Sequence, residues 1–134
     1  MLRTLLLGLM MLGLLSQPVG AAEGAAESSG YVGYIELKPF IANFGGAGPL
    51  RFVKCEVTLQ VSSEDAHYAV NHHLPSIRND ILFLLSGQTE ASLSSVEAQT
   101  ALAKEALAKV QAILVEEEGE AFVNDLFFTS LVIQ

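Results

Sequence analysis

Three histidines make the best case for chemistry in this 134-residue chain: His67, His72 and His73. Imidazole is a common metal ligand, and helical ligand pairs stand three or four residues apart so that both side chains leave one face. Here His72 and His73 are adjacent, about 100° apart on a helix, and His67 is five residues before His72. The three therefore read as surface histidines of a helix. Glu116, Glu117, Glu118 and Glu120 could supply acid–base carboxylates, but they fall in one turn, where a solvated charge cluster is the expected outcome. "GGAG", Gly45 to Gly48, leads into a strand and no Lys-Ser/Thr follows it, so it reads as a hairpin turn and not as a phosphate cradle. Ser, His and Asp all occur without a G-x-S-x-G. The sequence thus offers no catalytic constellation, no cofactor site and no metal ligand set. Its single cysteine, Cys55, lies on the apolar side of an alternating segment and reads as a buried, inert thiol.

Charge narrows the partners. Seven Lys and Arg against 15 Asp and Glu give a net charge of −8, and no basic face for nucleic acid can be built from that. The opening "MLRTLLLGLMMLGLLSQPVGAAEGAAE" carries Arg3, an apolar run from Leu5 to Leu15, then Pro18 and small residues up to Ala22. Residues 1–22 therefore read as a signal peptide or a short membrane anchor, since the run is shorter than the roughly 20 residues of a transmembrane helix. Residues 23–30 are small and polar, as in a flexible linker, and 31–134 form the domain.

Within that domain, "YVGYIELKPFIANF" is rich in β-formers, with Pro39 marking an edge or a break. From Arg51 to Val61 apolar and polar residues alternate, so this strand is covered on one face. At Ser63, an expected N-cap, the period changes, and Ala66, Val70, Leu74, Ile77, Ile81 and Leu84 follow at helical spacing, with Pro75 kinking or restarting the helix. "SGQTE" is a break with Gly87 as helix end. A second helix starts at Ser94 or Ser95 and runs to about Glu116, with Val96, Leu102, Ala106, Val110 and Ile113 on its apolar stripe. The chain closes on "VNDLFFTSLVIQ", apolar at odd and even positions alike, which implies a strand covered on both faces. A neighbouring subunit, the N-terminal segment, or a bulge at Asn124-Asp125 would each account for it.

Three stretches in order resemble the flagellar basal-body-associated FliL family. They are "LKPFIANF", with Pro39, Phe40 and Asn43; "LPSIRNDILFLLSGQTEASLSSVEAQTAL", with Pro75, Ile77, Arg78, Leu85 and Ser86; and the closing stretch, with Asp125, Phe128, Thr129 and Gln134. The resemblance covers roughly Tyr34 to Gln134. It departs at Ala98, where the family usually has Gly, and in the short leader, where members usually carry a cytoplasmic segment and a full transmembrane helix.

The resemblance implies an α+β fold similar to the stomatin-like (SPFH) domain: a small, mostly antiparallel sheet of three or four strands packed on two helices. It implies a periplasmic domain, soluble or held to the inner membrane by its N-terminal segment, that assembles into homo-oligomeric rings. Its expected partners are the flagellar stator proteins or other basal-body components, and its expected role is non-enzymatic support of rotation, swarming and chemotaxis-linked motility. An exported stomatin-like scaffold acting on a different envelope complex is the alternative. Arg78 is the candidate interface residue, since a guanidinium can grip a partner carboxylate with two donors.

Overall fold

The structure, a computed structural model, describes residues 30–134. The expected leader and nearly all of the expected linker lie outside the described residues. The centre of the sheet is β3 (Arg51–Val61), where the alternation foreseen in the sequence is realised: Val53, Cys55, Val57, Leu59 and Val61 are buried, and the even positions face out or stand half-exposed. Both β1 (Gly33–Glu36) and β2 (Phe40–Phe44) pair antiparallel with β3, β1 against residues 58–61 and β2 against residues 51–55. The closing strand β4 (Val123–Ile133) pairs with β3 along residues 53–61. A strand has only two edges, so β1 and β2 share one and β4 takes the other. Between the pairs Glu36↔Thr58 and Phe40↔Cys55, three residues oppose two, a bulge that contains Pro39. The break expected at Pro39 is therefore a break in one edge strand. "GGAG" makes the β2–β3 turn, where Gly45, Gly46 and Gly48 have φ of 94°, 69° and 140°, values that favour glycine.

Among the described residues, four helices cover the inner face of this sheet. Ser63 caps α1 (Glu64–His72), accepting from the Ala66 N–H at 3.2 Å, and α2 (Leu74–Ser86) restarts the chain with Pro75 in its first turn, where no helical N–H is needed. A short α3 (Glu90–Ser94) was not foreseen: Thr89 and Ser92 cap each other, and Leu93 is fully buried. Ser95 caps α4 (Val96–Glu118), which ends on Gly119 in the left-handed region. The buried stripe of α4 is Leu102, Ala106, Val110 and Leu114; Val96, expected on it, is 76% exposed in the first turn, and Ile113 lies at the edge. The two longer helices divide the sheet, α2 under β2 and α4 under β4.

The closing strand corrects the two-faced reading. Its register slips twice, once between Ser130 and Phe128, leaving Thr129 extra, and once between Asp125 and Val123, leaving Asn124 extra. Each slip reverses the parity of inward residues. Val123, Leu126, Phe128, Leu131 and Ile133 therefore lie opposite Val61, Leu59, Val57, Cys55 and Val53, the buried positions of β3. All five pack in or against the core. Apolar residues at both parities thus serve one face, and Phe127 and Val132 are what remains outside, 41% and 46% exposed.

Candidate interaction site

The bulge in the first edge strand is gripped by α2. Arg78 donates from Nη1 to the Lys38 carbonyl at 2.6 Å and from Nη2 to the Pro39 carbonyl at 3.1 Å. Its guanidinium carbon stands 4.2 Å from the centre of the Phe40 ring, and Phe40 is fully buried. The planar fork suits this arrangement, because one cation satisfies two carbonyls that the bulge takes out of the ladder and also stacks on the adjacent ring. Asp80, two residues on in the sequence, forms no ion pair with Arg78 among the described residues. These bonds use two of the five guanidinium N–H groups, so a partner carboxylate would have to meet the ones that remain.

The other motif residues fall along the same seams. Ile77 and Leu85 are fully buried on the inner face of α2, and the Ser86 hydroxyl donates to the Leu82 carbonyl at 2.9 Å in its last turn. Asn43 lies outward beside Phe52, and Gln134 exchanges two backbone hydrogen bonds with Phe52, at 2.9 and 2.8 Å. Thr129, the extra residue of the β4 bulge, directs its hydroxyl to the Glu56 carbonyl at 3.4 Å. Asp125 accepts from the Leu126 N–H at 2.8 Å, and Gln111 of α4 donates to the Val123 carbonyl at 2.8 Å. Arg51 pairs with Glu90 at 3.0 Å, tying β3 to α3.

The histidines separate into different roles. His72 is exposed, but His73 sits at the α1–α2 junction with its side chain only 14% exposed and its Nε2 2.7 Å from Glu118. It is therefore not the plain surface histidine expected from the sequence. His67 packs edge-on to Tyr31 and lies over Gly33, where an added Cβ would collide with its ring. Among the described residues these side chains form no group able to hold a metal ion. Burial pushes the Cys55 thiol up to about 12, against the opposing charge of the nearby Arg78.

Among the described residues, two exposed surfaces adjoin β4. One is the outer face of the sheet, where Tyr34, Ile41, Phe52, Phe127 and Val132 alternate with polar side chains. The other is a groove of about 390 Å³ between β4 and the first half of α4. No helix of the described residues is long and apolar enough to cross a membrane.

The family model for the flagellar basal body-associated protein FliL matches residues 34–134. The chain belongs to this family. The curated FliL protein of Aquifex aeolicus (strain VF5) is 28% identical over 96 residues, 72% of this chain and 57% of that protein. The FliL protein of Escherichia coli (strain K12) is 25% identical over 101 residues, 75% of this chain and 64% of its own length. The match thus spans less than two thirds of either relative. The resemblance seen in the three ordered stretches and the expected α+β fold are both borne out. Within the FliL domain, sequence reasoning missed the Arg78 grip, α3 and the Asp125 cap. Only α3 had a local signal, the Thr89 and Ser92 pair before Leu93.

Proposed function

We propose that this chain is a non-enzymatic accessory of the flagellar motor, exported to the periplasm, that works by contact with stator units or other basal-body components and supports rotation under load. The observation that carries this reading is the family match across residues 34–134. The folded domain is consistent with it: apart from the buried Cys55 thiol, the charged groups are solvent-exposed or tied to neighbours, and part of the exposed apolar surface lies on the sheet face and beside β4. On this reading the domain assembles as a homo-oligomer near the inner membrane, through surface not used by the core. Swarming and chemotaxis-linked motility then depend on it indirectly, through torque.

The test is a deletion strain complemented with the intact gene, with swimming measured as medium viscosity is raised. A loss of speed that grows with load and is restored by complementation is the expected result. Unchanged motility at every load would refute the motor role and favour an exported scaffold on another envelope complex.

A further inference from the structure

Strand β4 borders the sheet: it pairs with β3 and with no other strand among the described residues. Such an edge presents N–H and C=O groups that another extended chain satisfies as a regular ladder. The register identifies them. Phe52 and Gln134 exchange both backbone bonds, so Val132 and Ser130, two and four residues back, also bond toward β3. Leu131 and Ile133 therefore direct their backbone groups away from β3. Beyond the Thr129 bulge, Val57 gives its carbonyl to Leu37 on the opposite edge, so its β4 neighbour Phe128 also directs its backbone N–H and C=O away from β3, as does Leu126 by the same alternation. Asp125 already satisfies the Leu126 N–H, which sets one limit of the open ladder. Its free donors run from Phe128 to Ile133.

Devices that usually blunt an edge are sparse here. Between Val123 and Ile133 there is no Lys, Arg or Pro; the Thr129 bulge is the one such device inside the open ladder and sets the outward donors of Phe128 and Leu131 three residues apart, while the opposite edge is broken by the bulge that contains Pro39. Alongside β4 runs the groove, its floor made by Leu126 and Phe128 and its helical wall by Val96, Ala103 and Lys104. Val96 is 76% exposed, a large apolar side chain left without cover by the described residues. Lys104 is exposed and has no ion pair among the described residues, an unmatched cation in a chain of net charge −8. Asp125, the other charge in the groove, is engaged with its own backbone neighbour. A ladder edge with an apolar trough beside it fits an added strand, and the cation selects its charge.

We propose that the β4 edge and this groove form a strand-addition site for an extended segment of a partner protein, apolar at alternate positions and bearing a carboxylate that meets Lys104. The site goes beyond the motor reading and is testable without it, on the purified full chain. The probe is a synthetic peptide of about ten residues alternating valine and serine with a central glutamate, together with a twin carrying lysine there. Binding is followed by anisotropy and by amide hydrogen exchange. The expected result is new protection at Phe128, Leu131 and Ile133, with no gain at Phe127 and Val132, whose amides already bond to β3. The glutamate peptide should bind about two- to fivefold tighter than its twin, the span of one exposed ion pair. Lys104→Glu should reverse that preference, and Ala103→Trp, which fills the groove, should weaken both peptides. Unchanged exchange at the three amides with either peptide at millimolar concentration would overturn the proposal, as would an unchanged preference in Lys104→Glu. Protection of the same amides that grows with protein concentration and without peptide would assign the edge to a second copy of this chain, and refute a foreign segment.

Discussion

Replacing Arg78 with alanine should destabilise the domain by about 2–3 kcal/mol, from about 1 kcal/mol for each of two hydrogen bonds and about 0.5–1 kcal/mol for the guanidinium over Phe40. The bonds are 2.6 and 3.1 Å long and the ring contact is 4.2 Å. Charge-assisted bonds can contribute more, but the Lys38 and Pro39 carbonyls lie near water, which replaces part of what the guanidinium gives; the lower end of the range applies. Arg78→Lys keeps the charge and loses the fork, so about half of the loss should remain. Urea denaturation of the full chain reads this directly: with a slope of about 1–1.5 kcal/mol per molar, the midpoint of Arg78→Ala should fall by about 1.3–2 M. Hydrogen exchange adds a local reading at Leu37, whose N–H bonds to the Val57 carbonyl at 2.9 Å next to the bulge. Its exchange should quicken in Arg78→Ala. An unmoved midpoint together with unchanged exchange at Leu37 would refute the grip. If such a variant also lost motility at normal protein levels, Arg78 would act outward, as the sequence had suggested.

Phe128→Ala should cost about 2–4 kcal/mol and Phe127→Ala under about 1 kcal/mol, because the bulges turn only the first toward the core; equal losses in denaturation would disprove this register. Cys55 should resist alkylation in the native state at pH 8 and react once urea unfolds the chain, since its thiol is held well above the usual 9.0. Because that value is raised in the folded state, Cys55 costs nothing below pH 9 and lowers stability as pH climbs from about 9 toward 12; a Cys55→Ala chain losing as much stability over that window would exclude the contribution. Mass spectrometry of the native protein should place the mature N-terminus near Glu23, and an intact Met1 in the membrane fraction would establish an anchor instead.

The sequence by itself determined whatever is settled within a few residues along the chain. Ser63 and Ser95 start helices because their hydroxyls reach N–H groups three residues ahead, and Pro75 and Gly87 delimit α2 through their own backbone chemistry. The glycine turn and the alternation of β3 are local in the same sense, and the ordered motif set carried the family. Tertiary structure decided the rest. Arg78 lies about 40 residues from the carbonyls it holds, and His73 is 45 residues from Glu118, so neither partner was visible in the neighbouring sequence. The phase of β4 depended on its pairing: Thr129 and Asn124 are extra only relative to β3, and without that ladder the apolar residues of "LFFTSLVI" appear to demand two buried faces. A register is a relation between two strands, and one strand's residues cannot carry it alone.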